Sequence, residues 1–198
     1  MKSQDRAALR RTFRRHRRAL SPELQLHHSI AVARHFFAAG LAWRASTVGL
    51  YIANDGELDL APLAARLRAA GKRVALPVIR STPGRTPLLE FYRWDAHARL
   101  QRNRYGIPEP APGAAFVPAL GLDLLLVPLV AFDHHGTRLG MGAGYYDRFL
   151  GALAPGLRPR IVGVAHEVQR SATALPAAPW DVPLDGILTE RGWQRLRG

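Results

Sequence analysis

Hydrophobic positions in the first forty residues recur at helical spacing. Leu9 and Phe13 stand four residues apart and predict a buried stripe on one helix face. Ser3 is the expected N-cap of a first helix, and Ser21, followed by proline and glutamate, that of a second, which Gly40 can close. The pattern therefore predicts two helices, over residues 3–19 and 21–40.

From residue 47 onward, short apolar runs alternate with helical stretches, which is the order of an α/β fold. The run LLLVPLVAF is continuously apolar, as expected for a strand covered on both faces of a parallel sheet. We predict a single-domain three-layer α/β/α fold over residues 1–198, with a mostly parallel open sheet and two N-terminal helices. Strands are expected at 47–53, 73–79, 89–94, 122–132, 161–165 and 186–189, helices at 61–70 and 145–153, and loops at 81–87 and 107–118.

Composition narrows the class of protein. With 198 residues and 47% hydrophobic residues, the chain can bury one core of ordinary domain size. It has neither an apolar run long enough for a membrane helix nor the apolar region of a signal peptide, so we expect a cytoplasmic protein without membrane contact. The absence of cysteine excludes disulfides, thiolate metal sites and cysteine nucleophiles.

The formal net charge of +13 allows two interpretations. A basic surface binds nucleic acid by releasing phosphate counterions. The excess is mostly arginine, however, without an aromatic-interleaved basic run or a zinc-finger or RRM motif, so we expect no specific nucleic-acid partner. An anionic small substrate accounts for the same charge. Arg6, Arg10 and Arg14 share one helix face and can line an anion site, or form a solvated basic face.

The segment DLLLVPLVAFDHHGTRLGMGAGYYDRFL, residues 123–150, carries the clearest chemical signal. A buried strand leads into a glycine-rich loop that opens onto a helix, an arrangement that binds phosphate through backbone N–H groups and the helix N-terminus. Arg138 and Asp147 bracket the loop and suit a nucleotide phosphate and its magnesium. The loop matches neither the GxGxxG motif nor a P-loop. The alternative to a phosphate site is a turn in which the glycines serve only the path of the chain.

Two hydrolase classes are disfavoured by missing motifs. The chain has eight histidines, but HExxH is absent and the adjacent pairs, at 27–28 and 134–135, tend to point in different directions. No GxSxG motif is present, which argues against a serine hydrolase of that type.

The segment 123–150 closely resembles the signature of the 5-formyltetrahydrofolate cyclo-ligase family. Other family motifs occur in the same order along nearly the whole chain: the arginine-rich first helix ending in ALS, the Tyr51 strand with Glu57, GK before LP, YGIPEP at 105–110, residues 163–169 and DVPLD at 181–185. The resemblance implies an ATP-dependent, monomeric enzyme that binds Mg²⁺ with ATP and a reduced folate. It would close 5-formyltetrahydrofolate to 5,10-methenyltetrahydrofolate through a phosphorylated formyl oxygen that N10 attacks, with release of ADP and phosphate.

The same resemblance assigns the site residues. The catalytic side chain would be Arg138, and magnesium would be held by Asp147 and Asp185, directly or through water. ATP would be bound by Arg6, Arg10, Arg138, Leu139, Gly140, Met141, Gly142, Ala143, Gly144, Tyr145 and Tyr146. The folate would be bound by Arg10, Ile52, Glu57, Met141, Gly142, Ala143, Gly144 and Tyr145. From its sequence context alone, the favoured interpretation of Glu57 is an ordinary exposed carboxylate after a strand.

The chain departs from the family pattern at a few positions. Arg6 stands where lysine is common, Met141 and Ala143 where some members are basic, His166 where an aromatic is usual, and Trp180 where histidine is common. Because these lie near the expected pocket, a related enzyme acting on another ligand is the rival interpretation.

Overall fold

The computed structural model describes residues 2–81, 84 and 86–196. It contains four α-helices in this part of the chain: α1 (Lys2–Arg18), α2 (Pro22–Ala38), α3 (Ala61–Ala69) and α4 (Tyr145–Gly151). The strands are β1 (Thr47–Gly49), β2 (Arg73–Arg80), β3 (Leu88–Arg93), β4 (Leu100–Arg102), β5 (Pro108–Pro110), β6 (Phe116–Val117), β7 (Leu124–Pro128), β8 (Ala131–Phe132), β9 (Arg138–Leu139), β10 (Arg160–Val164), β11 (Gly186–Thr189) and β12 (Gly192–Arg195).

Eight strands form one sheet in the order β12-β11-β10-β7-β1-β2-β3-β6. The five central strands are parallel, whereas β12, β3 and β6 pair antiparallel at the two edges. β4 and β5, and β8 and β9, form two separate hairpins. The predicted α/β class and mostly parallel sheet are confirmed.

Helices cover the sheet unequally on its two faces. On one face, α2 and α3 bury Phe36 and Leu63 against Val48 and Leu126. On the other, Leu150 of the short helix α4 packs with Phe91 and Leu125. These are the three predicted layers, the second helical layer being thin. No helix in the described ranges is long and apolar enough to cross a membrane.

Local sequence explains the first two helices. The Ser21 hydroxyl accepts a hydrogen bond from the Leu24 amide at 3.3 Å and Pro22 occupies the first turn, as predicted. Phe13 of α1 is buried and Leu9 packs beside it. The first helix begins at Lys2, so Ser3 lies inside it and is not the N-cap.

Several predicted boundaries are wrong. The expected strand at 47–53 ends at Gly49, and the strand at 122–132 is divided between β7 and β8. The expected loop at 107–118 contains β5 and β6. Of the expected loop at 81–87, residues 82, 83 and 85 lie outside the described part of the chain.

Candidate active site

A cavity of about 750 Å³ opens where the parallel strands end. Residues 51–57 enter it directly after β1, and Pro128 and Leu129 at the end of β7. The carboxyl ends of parallel strands are the usual place for ligands in open α/β sheets. The cavity wall is completed by residues of α1, of the hairpin that contains Tyr105 and Ile107, of the loop at 140–147 and of the segment 176–181.

The glycine loop between β9 and α4 forms one wall of the cavity. Gly142 and Gly144 have φ angles of 106° and 67°, in the left-handed region that favours glycine. A Cβ at Gly144 would also lie 3.0 Å from Nη1 of Arg148. The predicted glycine loop and helix are therefore present, although the antiparallel pair β8–β9 leads into the loop, where one long strand was expected.

Arg138 lies beside this loop with its guanidinium almost fully buried. Its side chain is 3% exposed, and its Nη2 donates a hydrogen bond to the Asp147 carboxylate. Its Nε is also buried and has no hydrogen-bond partner among the described residues. Because Arg138 lines the cavity, its guanidinium is a candidate partner for an anion that binds there.

Two arginines of α1 extend this positive wall. Nε of Arg10 donates to the Gly140 carbonyl at 2.8 Å, and Arg6 pairs with Asp181 through contacts of 2.9 and 3.3 Å. Partial burial and the nearby Arg6 lower the pKa of Arg10, whereas the charge of Asp181 opposes this shift. Arg6 and Arg10 both line the cavity, whereas Arg14 binds Asp55 at 2.7 Å.

The cavity lining also includes the carboxyl group of Glu57. Glu57 follows β1 and its side chain is only 11% exposed, so it is not an ordinary surface carboxylate. Its Oε2 accepts a hydrogen bond from the Asn54 amide at 3.1 Å. Burial raises the pKa of Glu57 to about 7, opposed by the charge of Arg17 and by the Asn54 hydrogen bond. Ile52 lines the cavity on the same segment.

Tyr145 and Tyr146 begin α4 at the edge of the cavity. The Tyr145 hydroxyl accepts a hydrogen bond from Arg104 at 2.6 Å and lies 2.9 Å from the Tyr105 hydroxyl. These contacts join α4 to the loop between β4 and β5. Burial raises the pKa of Tyr146, which keeps its phenol neutral.

The two aspartates expected to hold magnesium lie in different surroundings. Asp147 lines the cavity, and its side chain is 19% exposed. Asp185 precedes β11, where its carboxylate accepts a hydrogen bond from the Ile161 amide at 2.7 Å, and it is not among the described cavity residues. Magnesium commonly uses one or two carboxylates together with substrate phosphates, so Asp147 fits such a site. The described contacts do not join Asp185 to it.

His166 forms a buried pair with His28 outside the cavity lining. Their Nδ1 atoms lie 2.8 Å apart, and Nε2 of His28 lies 3.8 Å from Glu190. These three residues form a possible metal-ligating group, but the Nδ1 atoms are engaged in a hydrogen bond. The histidine at position 166, where the family usually has an aromatic residue, therefore changes the buried core and not the cavity lining. Met141, Ala143 and Trp180 do line the cavity, and Trp180 is 72% exposed.

Sequence reasoning missed several residues that shape this site. Arg17 is fully buried and binds Asp55 and the carbonyl of Leu129. The sequence feature that could have identified Arg17 is its position, three residues after Arg14 in the same series of arginines along the helix. Asp181 and Tyr105 lay inside recognised motifs, but the motifs did not show which side chains they contact.

Comparison with known proteins identifies the relatives of this chain. Residues 2–190 match the model of the 5-formyltetrahydrofolate cyclo-ligase family. The chain is 40% identical over 178 residues to the 5-formyltetrahydrofolate cyclo-ligase of Escherichia coli strain K12, covering 89% of this chain and 96% of the relative. The enzyme of that name from Haemophilus influenzae is 35% identical over 194 residues, covering 95% and 99%.

A solved structure shows the same fold. The NMR structure of Aquifex aeolicus 5,10-methenyltetrahydrofolate synthetase aligns with a TM-score of 0.81 and 33% sequence identity. The alignment covers 98% of this chain and 93% of the other.

Proposed function

The chain belongs to the 5-formyltetrahydrofolate cyclo-ligase family, and we propose that its cavity binds ATP beside 5-formyltetrahydrofolate and couples ATP cleavage to ring closure. The products would be 5,10-methenyltetrahydrofolate, ADP and phosphate. The names of the relatives, cyclo-ligase and methenyltetrahydrofolate synthetase, support the folate reaction. The arginines and the glycine loop that line the cavity support the use of ATP.

The observation that carries this proposal is that one cavity is lined both by a group of arginines and by a largely buried carboxyl group. Arg6, Arg10 and Arg138 line it together with the glycine loop, and Glu57 lines the same cavity. A polyanion suits the arginines, and a heterocycle with ring N–H groups suits the carboxylate.

Phosphorylation gives the ring closure a usable leaving group. The formyl oxygen attacks the γ-phosphorus of ATP as the bond to the ADP oxygen breaks. N10 then attacks the formyl carbon, the carbon–oxygen bond breaks as phosphate leaves, and the N10 proton is released. Such phosphoryl transfer depends mainly on positioning and on neutralising charge.

Arg138 is the residue best placed to stabilise the transferring phosphoryl group. Its guanidinium is buried, fixed by Asp147, and has an unsatisfied Nε. A donor held in place before reaction costs little reorganisation in the transition state. The glycine loop, from Leu139 to Tyr146, would surround the phosphates, and Arg6 and Arg10 would contact them from α1.

The folate would lie against the wall that Ile52 and Glu57 form. An ionised Glu57 accepts hydrogen bonds from neighbouring ring N–H groups and so fixes the pterin orientation. Tyr145, already tied to Arg104 and Tyr105, would border the substrate at the start of α4. Fixed orientation matters because N10 must approach the activated formyl carbon.

Asp147 is the side chain that would hold magnesium at this site. Magnesium bound with ATP supplies positive charge to the β- and γ-phosphates. The carboxylate of Asp147 both anchors Arg138 and remains partly open to the cavity, so it can serve this ion. Asp185 is not assigned to this ion, because its carboxylate accepts a hydrogen bond from the Ile161 amide.

We also propose a monomeric, single-domain enzyme that acts in the cytoplasm on small molecules. No nucleic-acid partner is needed to explain the arginines that face the cavity. Light scattering tests the monomer, and weak nucleic-acid binding at near-physiological salt is the expected control result.

The first test is the growth of the methenyltetrahydrofolate absorption band from 5-formyltetrahydrofolate and Mg²⁺, with and without ATP. ATP-dependent growth supports the proposal. If a folded sample shows none, a panel of other formylated or phosphorylated substrates tests the rival, a related enzyme with altered specificity at Met141, Ala143 or Trp180.

A further inference from the structure

Arg17 is a fully buried guanidinium that joins three segments next to the cavity. From α1, its Nε donates to the Asp55 carbonyl at 2.9 Å and its Nη1 to the Leu129 carbonyl at 3.1 Å. Its Nη2 donates to Asp55 Oδ2 at 2.9 Å. The arginine guanidinium has five N–H donors and can satisfy acceptors that lie in different directions. The single ammonium group of lysine cannot match this arrangement. Arg17 thus ties α1 to the loop after β1 and to the end of β7.

The same guanidinium lies close to Glu57. Nη2 of Arg17 is 3.8 Å from Oε1 of Glu57, too long for a direct hydrogen bond but close for two charges in a buried site. Arg17 has no exposed surface and is not among the described residues that line the cavity. Any effect that it has on a ligand must therefore pass through its neighbours.

Among the residues that the structure describes, the other groups around Glu57 do not supply a comparable positive charge. Tyr51 and Tyr146 face it as phenols whose pKa values are raised by burial, so they stay neutral. The Asn54 amide donates one hydrogen bond to it. Next to Arg17 itself lie Asp55, Arg14 and His166, and burial lowers the pKa of His166 to about 4, so that imidazole is neutral near pH 7.

The protonation state of Glu57 decides what it can bind. An ionised carboxylate accepts hydrogen bonds through both oxygens, whereas the protonated group uses one oxygen as a donor. Burial alone favours the protonated form, and a nearby positive charge favours the ionised one. The pKa of Glu57, raised to about 7, places this balance near neutral pH.

We propose that Arg17 is a positioning residue for the folate site, which holds the Asp55–Glu57 loop at the cavity wall and favours the ionised form of Glu57 for the substrate. This inference rests on the proposed folate function. Loss of Arg17 would not strand Asp55, because Arg14 and Arg18 also pair with that carboxylate. The lost charge should therefore act mainly on Glu57, whereas the lost contacts with the carbonyls of Asp55 and Leu129 and with Sδ of Met141 should lower stability.

The test measures KM for 5-formyltetrahydrofolate and KM for ATP from roughly pH 5.5 to roughly 9 in the full chain. In the unaltered enzyme, KM for the folate should rise as the pH falls through the Glu57 titration. Arg17→Met should move that rise upward by about one pH unit, which increases KM for the folate about fivefold near pH 7 and about tenfold well below it, with recovery at high pH. KM for ATP should change less than about twofold.

Two further variants separate charge from packing. Arg17→Lys keeps the charge and should keep the midpoint of the original profile, even if the general rate falls. Glu57→Gln should remove the pH dependence of KM for the folate over this range. The double variant with Arg17→Met and Glu57→Gln should likewise show no pH dependence of this KM. Circular dichroism confirms folding. If Arg17→Met does not fold, Arg17→Gln replaces it, because the amide can still donate to one carbonyl.

Three results would overturn the inference. They are a pH-independent loss in Arg17→Met, a midpoint that does not move, and an equal shift in Arg17→Lys. An inactive unaltered enzyme would instead contradict the proposed function itself, so the two failures are distinguishable.

Discussion

Arg6 and Asp181 join the first helix to the segment 176–181 through a two-point ion pair at the cavity wall. Nη1 and Nη2 of Arg6 lie 2.9 and 3.3 Å from the two carboxylate oxygens of Asp181, and both side chains are largely shielded from solvent. The contact holds Arg6 facing the cavity. It also means that a bound phosphate would share or replace a carboxylate that Arg6 already binds.

Replacing Arg6 should therefore weaken the binding of ATP selectively. Arg6→Ala is expected to raise KM for ATP about tenfold, because one charge-assisted contact with the nucleotide is lost. KM for the folate should change less than about twofold. Arg11→Ala is the matched control, because Arg11 is exposed on the same helix and lies outside the cavity. Equal effects of the two variants on KM for ATP would contradict this role.

The Arg138–Asp147 pair should control turnover. Arg138→Ala and Asp147→Asn are each expected to lower kcat about a hundredfold or more, the usual cost of losing a positioned partner for transition-state charge. Arg99→Ala, at an exposed position outside the cavity, should leave kcat unchanged. Near-normal rates in both site variants, measured on folded protein, would show that the chemistry occurs elsewhere.

The glycine loop should be sensitive to backbone strain at Gly142. Because Gly142 has a φ of 106°, replacing it with alanine is expected to cost about 1–3 kcal/mol of strain or to move the loop. The value of kcat/KM for ATP should therefore fall. Gly151→Ala is the control, since Gly151 ends α4 with open space around its missing Cβ. Steady-state kinetics and thermal melting of both variants make the comparison, and equal behaviour would rule out a special requirement at position 142.

Stability should fall in acid because of the His28–His166 pair. Burial, with His28 and Arg17 nearby, lowers the pKa of His166 to about 4, below the ordinary histidine value. Between about pH 6.5 and pH 4 the unfolded chain thus binds more protons than the folded one, and unfolding becomes easier as the pH falls. The expected loss is on the order of 2–3 kcal/mol.

Urea unfolding at several pH values measures this loss. His166→Phe retains an aromatic ring without a titrating group and should show a shallower decline between pH 6.5 and pH 4. A decline equal to that of the unaltered protein would assign the acid sensitivity to other groups.

The class of fold could be predicted because local signals agreed with the global arrangement. The apolar run of β7 and the capping serine of α2 both have the structure that their sequences favour. Strand ends were less predictable. The apolar residues after Gly49 leave the sheet and form the cavity wall, where burial continues without strand pairing.

Individual site contacts were harder to predict from the sequence. The glycine loop and Asp147 were recognisable because backbone freedom and charge are local properties. Arg17 and Asp55, by contrast, are 38 positions apart and meet only through the packing of α1 on the end of the sheet. The contact of Asp185 with Ile161 likewise depends on the pairing of β10 with β11.

The most direct test of the account follows methenyltetrahydrofolate formation and phosphate release together in one reaction with ATP and Mg²⁺. We predict that the two products form in equal amounts, that both require 5-formyltetrahydrofolate and ATP, and that both fall together in Arg138→Ala. Methenyl formation without ATP, or phosphate release without methenyl formation, would contradict the proposed coupling.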